Sequence, residues 1–202
     1  VCREWNIPFI LEEVNVQSAV RHGGSIETAA RDLRYKALRE AARGGGYAKI
    51  AVAHHGDDQA ETVLYHLLRG SGVTGLSGMK PINGDIIRPF LCVSKNEIKD
   101  FLKDFSYVPC HDESNDVEDA VRNRIRLSLV PELISYNPRV TESLRRTADI
   151  FREEDLFMEE KADVFISSCV EHDNDKCVFF IAYFLVLHLS LIHISQPTRL
   201  RR

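Results

Sequence analysis

Apolar positions along the chain change period several times, and each change predicts an element. Ile7 to Val16 reads I-P-F-I-L-E-E-V-N-V, a short run ending in alternation, which predicts a strand after the end of a helix holding Cys2 and Trp5. From Ser25, a suitable cap, Ile26, Ala29, Ala30, Leu33, Ala37, Leu38 and Ala41 recur at helical spacing until Gly44, Gly45 and Gly46 stop them. The other face of that helix carries Arg31, Arg34, Lys36 and Arg39. Lys49 to Ala53, K-I-A-V-A, reads as a short buried parallel strand and runs directly into His54 and His55. Asp58 then opens a helix whose stripe is Ala60, Val63, Leu64, Leu67 and Leu68, with a glycine-rich exit from Gly70.

Ile86 to Leu91 predicts a further strand, and Pro89 inside it places that strand at an edge or near its end. Ser94 and Glu97 form a capping box for a helix through Ile98, Phe101 and Leu102. Strands alternating with helices predict an α/β fold built on an open, mostly parallel sheet. After Asp112-Glu113-Ser114-Asn115 the pattern turns all-helical, over about Val117 to Leu129 and about Pro138 to Ala162. The expected boundary lies near 131–138. It divides an α/β domain over 1–135 from a helical linker or second-domain start over 136–176, with a tail of different character over 177–202.

Composition narrows the chemistry. At 202 residues, 44% hydrophobic and 28% charged, the chain can bury one ordinary core and a small helical unit besides. A net charge of -4 supplies no general attraction for nucleic acid, so any such contact depends on a local basic patch. The five cysteines are odd in number and scattered, with no C-x-x-C pair. That excludes a disulfide framework, a zinc ribbon and clustered iron-sulfur ligands, and it fits a reducing cytosol. Val1 is not an initiator, so a preceding segment is expected.

The string H-H-G-D-D-Q-A-E-T, His54 to Thr62, falls where an open α/β sheet binds its ligands, at a strand's carboxyl end and a helix's start. Helix amides there favour phosphate, whereas Asp57, Asp58 and Glu61 repel it unless a divalent cation lies between. A magnesium nucleotide resolves the conflict. Two other readings stay open: Asp58 and Glu61 as a plain capping box, and a metal-dependent phosphoesterase using His54, His55, Asp57 and Asp58. Gly70 to Gly75 matches G-x-G-x-x-G but follows a helix rather than a strand, so its glycines are read as turn residues. In R-N-R-I-R, Arg122 and Arg126 share a helix face and can reach one anion together. The plainer alternative is a solvated face paired with Glu118 and Asp119.

Taken in order, S-x-E-x-A-A-R-x-x-R-Y over 25–35, H-H-G-D-D-Q-A-E-T with L-L-R-G-S-G, I-R-P-F, D-E-S-N and R-N-R-I-R resemble the motifs of tRNA(Ile)-lysidine synthetases, from Val1 to about Asp155. The resemblance implies a Rossmann-like sheet of the adenine nucleotide α-hydrolase kind, followed by a helical segment. It also implies that ATP adenylates the C2 oxygen of the wobble cytidine of tRNA(Ile) with a CAU anticodon, after which the ε-amine of free lysine displaces AMP. Catalytic roles then go to His54, Asp58, Glu61, Arg122 and Arg126. Contacts to ATP or substrate go to His55, Asp57, Gln59, Arg31, Arg34 and Arg88. Contacts to tRNA go to Arg124, Arg139, Arg145 and Arg146. ATP and Mg2+ are the implied cofactors, with the metal held near Asp58 and Glu61, the implied setting is cytoplasmic without a membrane, and a homodimer is compatible.

The family's S-G-G-x-D-S phosphate loop does not occur in these 202 residues. The expectation is therefore that the chain alone forms no lysidine, and a non-catalytic tRNA-binding remnant is a third reading. Cys177 to Ser195 is apolar, uncharged and about long enough to span a bilayer. Because Leu189 to Arg199 resembles translated library-adapter sequence, this tail is read as an artefact or frame change in preference to an anchor.

Overall fold

The computed structural model describes residues 1–16, 26–105, 121–173 and 176–179. Ser25, the Asp112 to Asn115 motif, Glu118, Asp119 and the tail beyond Phe179 lie outside the described residues. The chain divides into two compact units. The first is Val1–Ala53 with Pro81–Pro89, and the second is His54–Lys80 with the described residues from Phe90 onward. The segment 131–138 lies inside the second unit.

In the first unit, helix α1 (Ile26–Gly44) forms where the periodicity places it. It is followed by β1 (Ile50–Ala51), β2 (Ile82–Asn83) and β3 (Ile86–Ile87). The strand order is β1-β3-β2, with β1 parallel and β2 antiparallel to β3. An α/β arrangement is therefore present, but the described sheet is small and mixed where a mostly parallel one was expected. The antiparallel member comes from a two-residue turn, Gly84-Asp85. Gly84 takes a φ of 60° there, which a residue without Cβ adopts freely. The strand expected over 86–91 ends at Ile87, and a 3-10 turn runs over Pro89–Cys92, because proline brings no amide to extend a ladder.

Ile50 and Ile86 form the buried centre of this unit. Two-residue strands cover little of α1, so Ile26 and Leu38, counted in the apolar stripe, are exposed. The strand expected over 7–16 does not form: 7–15 have no regular secondary structure, with Ile7, Phe9, Ile10 and Leu11 exposed, and 2–6 is a turn rather than a helix end. Alternation can define a face, but a strand also needs a neighbour for its amides.

The second unit is helical: α2 (Gly56–Leu68), α3 (Val73–Leu76), α4 (Lys95–Lys103), α5 (Val121–Arg124), a wide five-residue turn at Ile125–Leu129, α6 (Val130–Tyr136) and α7 (Val140–Cys169). α7 continues past its expected end at Ala162 into an antiparallel pair, β4 (Val170–Asp173) and β5 (Lys176–Phe179). No described helix is long and apolar enough to cross a membrane. The expected Ser94–Glu97 capping box on α4 is present. The wide turn precedes Pro131, whose ring clashes with the carbonyl four residues back and whose missing amide cannot bond it.

α2 packs on α7 through small and medium side chains. Ala60 and Ala148 are fully buried, and Val63, Leu64 and Ala162 nearly so, which lets the two backbones approach closely. Leu67 and Leu68, assigned to the same stripe, are exposed. The glycine-rich exit from α2 is clamped from both helices. Gln59 accepts from the Met79 amide at 2.7 Å and donates to the Met79 carbonyl at 3.2 Å. Thr74 donates to Asp155 at 2.6 Å, and Arg152 reaches the carbonyls of Ser77 and Met79 at 3.3 Å. This corrects the assignment of Gln59 to ATP or substrate, since it is buried and both ends of its amide hold the loop.

Candidate active site

The N-terminus of α2 is built by a cap that the sequence hides. His55, not Asp58, is the N-cap: its Nδ1 accepts from the Asp58 amide at 3.4 Å, while its own amide donates to Asp58 Oδ2 at 2.9 Å. The expected Asp58–Glu61 box is thereby shifted three residues toward the N-terminus, and Glu61 is released from capping. Asp57 accepts from the Lys95 amide at 2.7 Å, in the first turn of α4, where a carboxylate satisfies an otherwise orphaned donor. Half-buried His54 precedes the cap.

Glu61 is 4% exposed, and a buried carboxylate needs a charged partner. That partner is Arg126, which donates through Nε to Glu61 Oε1 at 2.7 Å and through Nη2 to Glu61 Oε2 at 2.9 Å. The same Nη2 donates to Asp58 Oδ1 at 2.9 Å. One planar guanidinium thus bridges two carboxylates one helical turn apart, a geometry that a lysine ammonium cannot reproduce. The hydrogen bond to Glu61, reinforced by the charges of Glu61, Asp58 and Asp57, drives Arg126 further toward its charged form against the cost of burial. Arg122 joins the group by donating to Thr62 Oγ1 at 2.8 Å, with its Nε 3.9 Å from Glu61. Thr62 in turn donates to the Asp58 carbonyl at 2.8 Å. Arg122 and Arg126 therefore do share a face, and that face meets α2.

The site holds two carboxylates and two guanidinium groups in near balance. The same donors bear on a resident metal ion. Asp58 and Glu61 are both engaged by Arg126, and no group of three or more His, Cys, Asp or Glu among the described residues is placed to hold a metal ion. The pair does not fit a resident magnesium ion in this arrangement, and the gathering that a dinuclear phosphoesterase requires is absent among the described residues.

The remaining residues are distributed elsewhere. Arg31, Arg34 and Arg88 belong to the first unit. Arg124 is exposed. Arg139 and Arg146 line a cavity of about 140 Å³ with Asn137, Glu142 and Ser143. Arg145 donates to the Cys92 carbonyl and crowds Gly56, where an added Cβ would meet its guanidinium at 2.6 Å, so it braces the start of α2. Thr62 and Arg152 were given no role from sequence. Only their polar character inside a helical stripe pointed to them.

A model for the PP-loop domain matches residues 1–133, which span the α1 motif, the capped start of α2 and both arginines of the cluster. The chain belongs to the PP-loop family. Within that family it is similar to proteins named tRNA(Ile)-lysidine synthase. It is 42% identical over 178 residues to that of Caldanaerobacter subterraneus, covering 87% of this chain and 38% of the relative. It is 40% identical over 150 residues to that of Bacteroides thetaiotaomicron, covering 74% and 35%. It is 34% identical over 192 residues to that of Thermotoga maritima, covering 95% and 46%. The chain thus spans less than half the length of each of these relatives. Neither the phosphoesterase reading nor that of a non-catalytic remnant gains support from them.

One titration follows from this PP-loop unit. Partial burial, then the charges of Arg69 and Arg122, hold His66 below its ordinary value of 6.5. The unfolded chain takes up a proton near that value while the folded one resists, so stability is intact above it and declines as pH falls through it. His66→Gln should flatten this decline in urea midpoints measured between neutral and mildly acidic pH. An unchanged slope would remove His66 as its source.

Proposed function

We propose that this chain carries the carboxylate and guanidinium cluster of an ATP-dependent ligase that attaches lysine to C2 of the wobble cytidine of tRNA(Ile). The observation that carries the reading is the fork from Arg126 to Asp58 and Glu61, in a chain similar to relatives of that name. Its α/β unit is read as part of a Rossmann-like sheet, and its setting as the cytoplasm.

The reaction has two displacements. The cytidine O2 attacks the α-phosphorus of ATP, forming the O–P bond as pyrophosphate leaves with its electron pair. The lysine ε-nitrogen then attacks C2, the C2–O bond breaks, AMP departs with the oxygen, and the amine gives up a proton. Arg122 and Arg126 exchange carboxylate or hydroxyl partners for phosphate oxygens as negative charge builds. Asp58, the less buried member of the pair, attracts the lysine ammonium and accepts its proton. Magnesium travels with the ATP phosphates, and no step is assigned to it on the protein.

A chimera tests this. Residues 26–169 should replace the matching segment of the Caldanaerobacter relative and still yield lysidine, read by nucleoside mass spectrometry of tRNA(Ile). A chimera that folds, binds tRNA and makes no lysidine would refute the assignment. Hydrolysis of simple phosphoesters without tRNA would return the phosphoesterase reading.

A further inference from the structure

Two arginines meet α2, and their partners differ in kind. Arg126 is forked across two carboxylates at 2.7 to 2.9 Å. Arg122 donates through Nη2 to a neutral oxygen, Thr62 Oγ1, at 2.8 Å, and its Nε stands 3.9 Å from Glu61. The two side chains are almost equally exposed, at 32% and 29%, so their partners and not solvent set them apart.

Thr62 closes the H-H-G-D-D-Q-A-E-T string and is buried. Its hydroxyl donates to the Asp58 carbonyl at 2.8 Å, a back-bond one turn down the helix that is common for threonine and by itself implies no function. Its consequence here is polarity. A hydroxyl has one proton, and once that proton is spent on Asp58 the oxygen can only accept. That oxygen then meets a cation supplied 60 residues along the chain. The bond directs Arg122 while leaving its charge unneutralised, and it occupies only one of the guanidinium's five N–H groups.

We propose that Thr62 is a positioning residue, which holds Arg122 against α2 as the cation that turns to the ATP phosphate during adenylation. This rests on the ligase reading above. Exchanging a neutral hydroxyl for a phosphate oxygen gains a charge-assisted bond about twice as strong. The same exchange at Arg126 would strand Glu61, which is 4% exposed, so Arg122 moves first.

The test has two arms. In the first, the full chain is treated with phenylglyoxal and the labelling rate of each arginine is read by peptide mass mapping, with melting curves as a check on folding. Arg122 should label more slowly than the exposed Arg124. Thr62→Val and Thr62→Ala should each speed Arg122 by about fivefold or more, Thr62→Ser should stay near wild type, and Arg126 should remain slow throughout. In the second, the chimera described above is followed through one turnover of tRNA adenylation. Thr62→Val should slow it by about tenfold, Thr62→Ser should restore it, and Thr62→Val should cost nothing further in an Arg122→Gln background. A merely structural threonine would cost the same in both backgrounds. The proposal is overturned if Arg122 labels alike with and without the hydroxyl, or if the two substitutions add. A wild-type chimera that makes no lysidine would instead remove the ligase reading, while the labelling rates still decide whether Thr62 holds Arg122.

Discussion

Replacing Arg126 by methionine should lower the unfolding free energy by about 2–4 kcal/mol, the upper range for a broken ion pair being discounted for partial exposure. Methionine keeps much of the apolar stem but leaves Glu61, 4% exposed, with no fork across its two oxygens. Most of the loss therefore reflects a buried carboxylate left with only the more distant Arg122 guanidinium, 3.9 Å away, and not a missing attraction. Two further variants separate the causes. Arg126→Lys should fall between wild type and methionine, since one ammonium cannot span Asp58 and Glu61 together. Pairing Arg126→Met with Glu61→Gln should recover much of the stability in a double-mutant cycle, because the glutamine no longer needs a cation. In the chimera, that rescue should not restore lysidine formation. Urea denaturation of the four proteins measures the first part, and a loss under about 0.5 kcal/mol for Arg126→Met would show that the cluster is not tightly coupled.

The second large effect is expected at Gly78→Ala. Its φ of +65° costs an alanine about 1–2 kcal/mol by itself. The new Cβ would also stand 2.8 Å from both polar atoms of the Gln59 amide. Gln59 cannot withdraw cheaply, because it is buried and bonded to the amide and carbonyl of Met79, and stranding such groups costs about 1–3 kcal/mol more. Gly84→Ala is the matched control, with a φ of +60° and nothing within 4 Å of the added atom. Gly78→Ala should therefore be the more damaging by about the cost of the Gln59 bonds. Equal losses in the two variants would mean that the loop, not Gln59, absorbs the change.

Several elements were plain in the sequence because local chemistry fixes them. α1 follows from its 3.6-residue period and its glycine stop, and the start of α4 from Ser94 and Glu97, whose capping bonds need only neighbours in sequence. The cluster was legible in part. Asp58, Glu61, Arg122 and Arg126 were named from the two motifs, and the i, i+4 argument put both arginines on one face. The β2 strand was missed although Asn83-Gly84 beside Ile82 and Ile86 is a recognisable hairpin signal. The strand over 7–16 was overread, since alternation reports a face and not a partner.

What the sequence determined by itself was the class of fold, the family and the residue types gathered at one helix start, all properties of short-range pattern and ordered motifs. Partnership was decided only in the tertiary structure. His55 displaced Asp58 as the cap, Gln59 turned from a ligand candidate into a loop brace, and Arg126, 65 residues beyond Glu61, took the two carboxylates assigned to magnesium. Each of these depends on which groups meet after burial, where a polar atom deprived of water must find the nearest donor or acceptor that the packing supplies. Spacing along the chain carries no record of that choice.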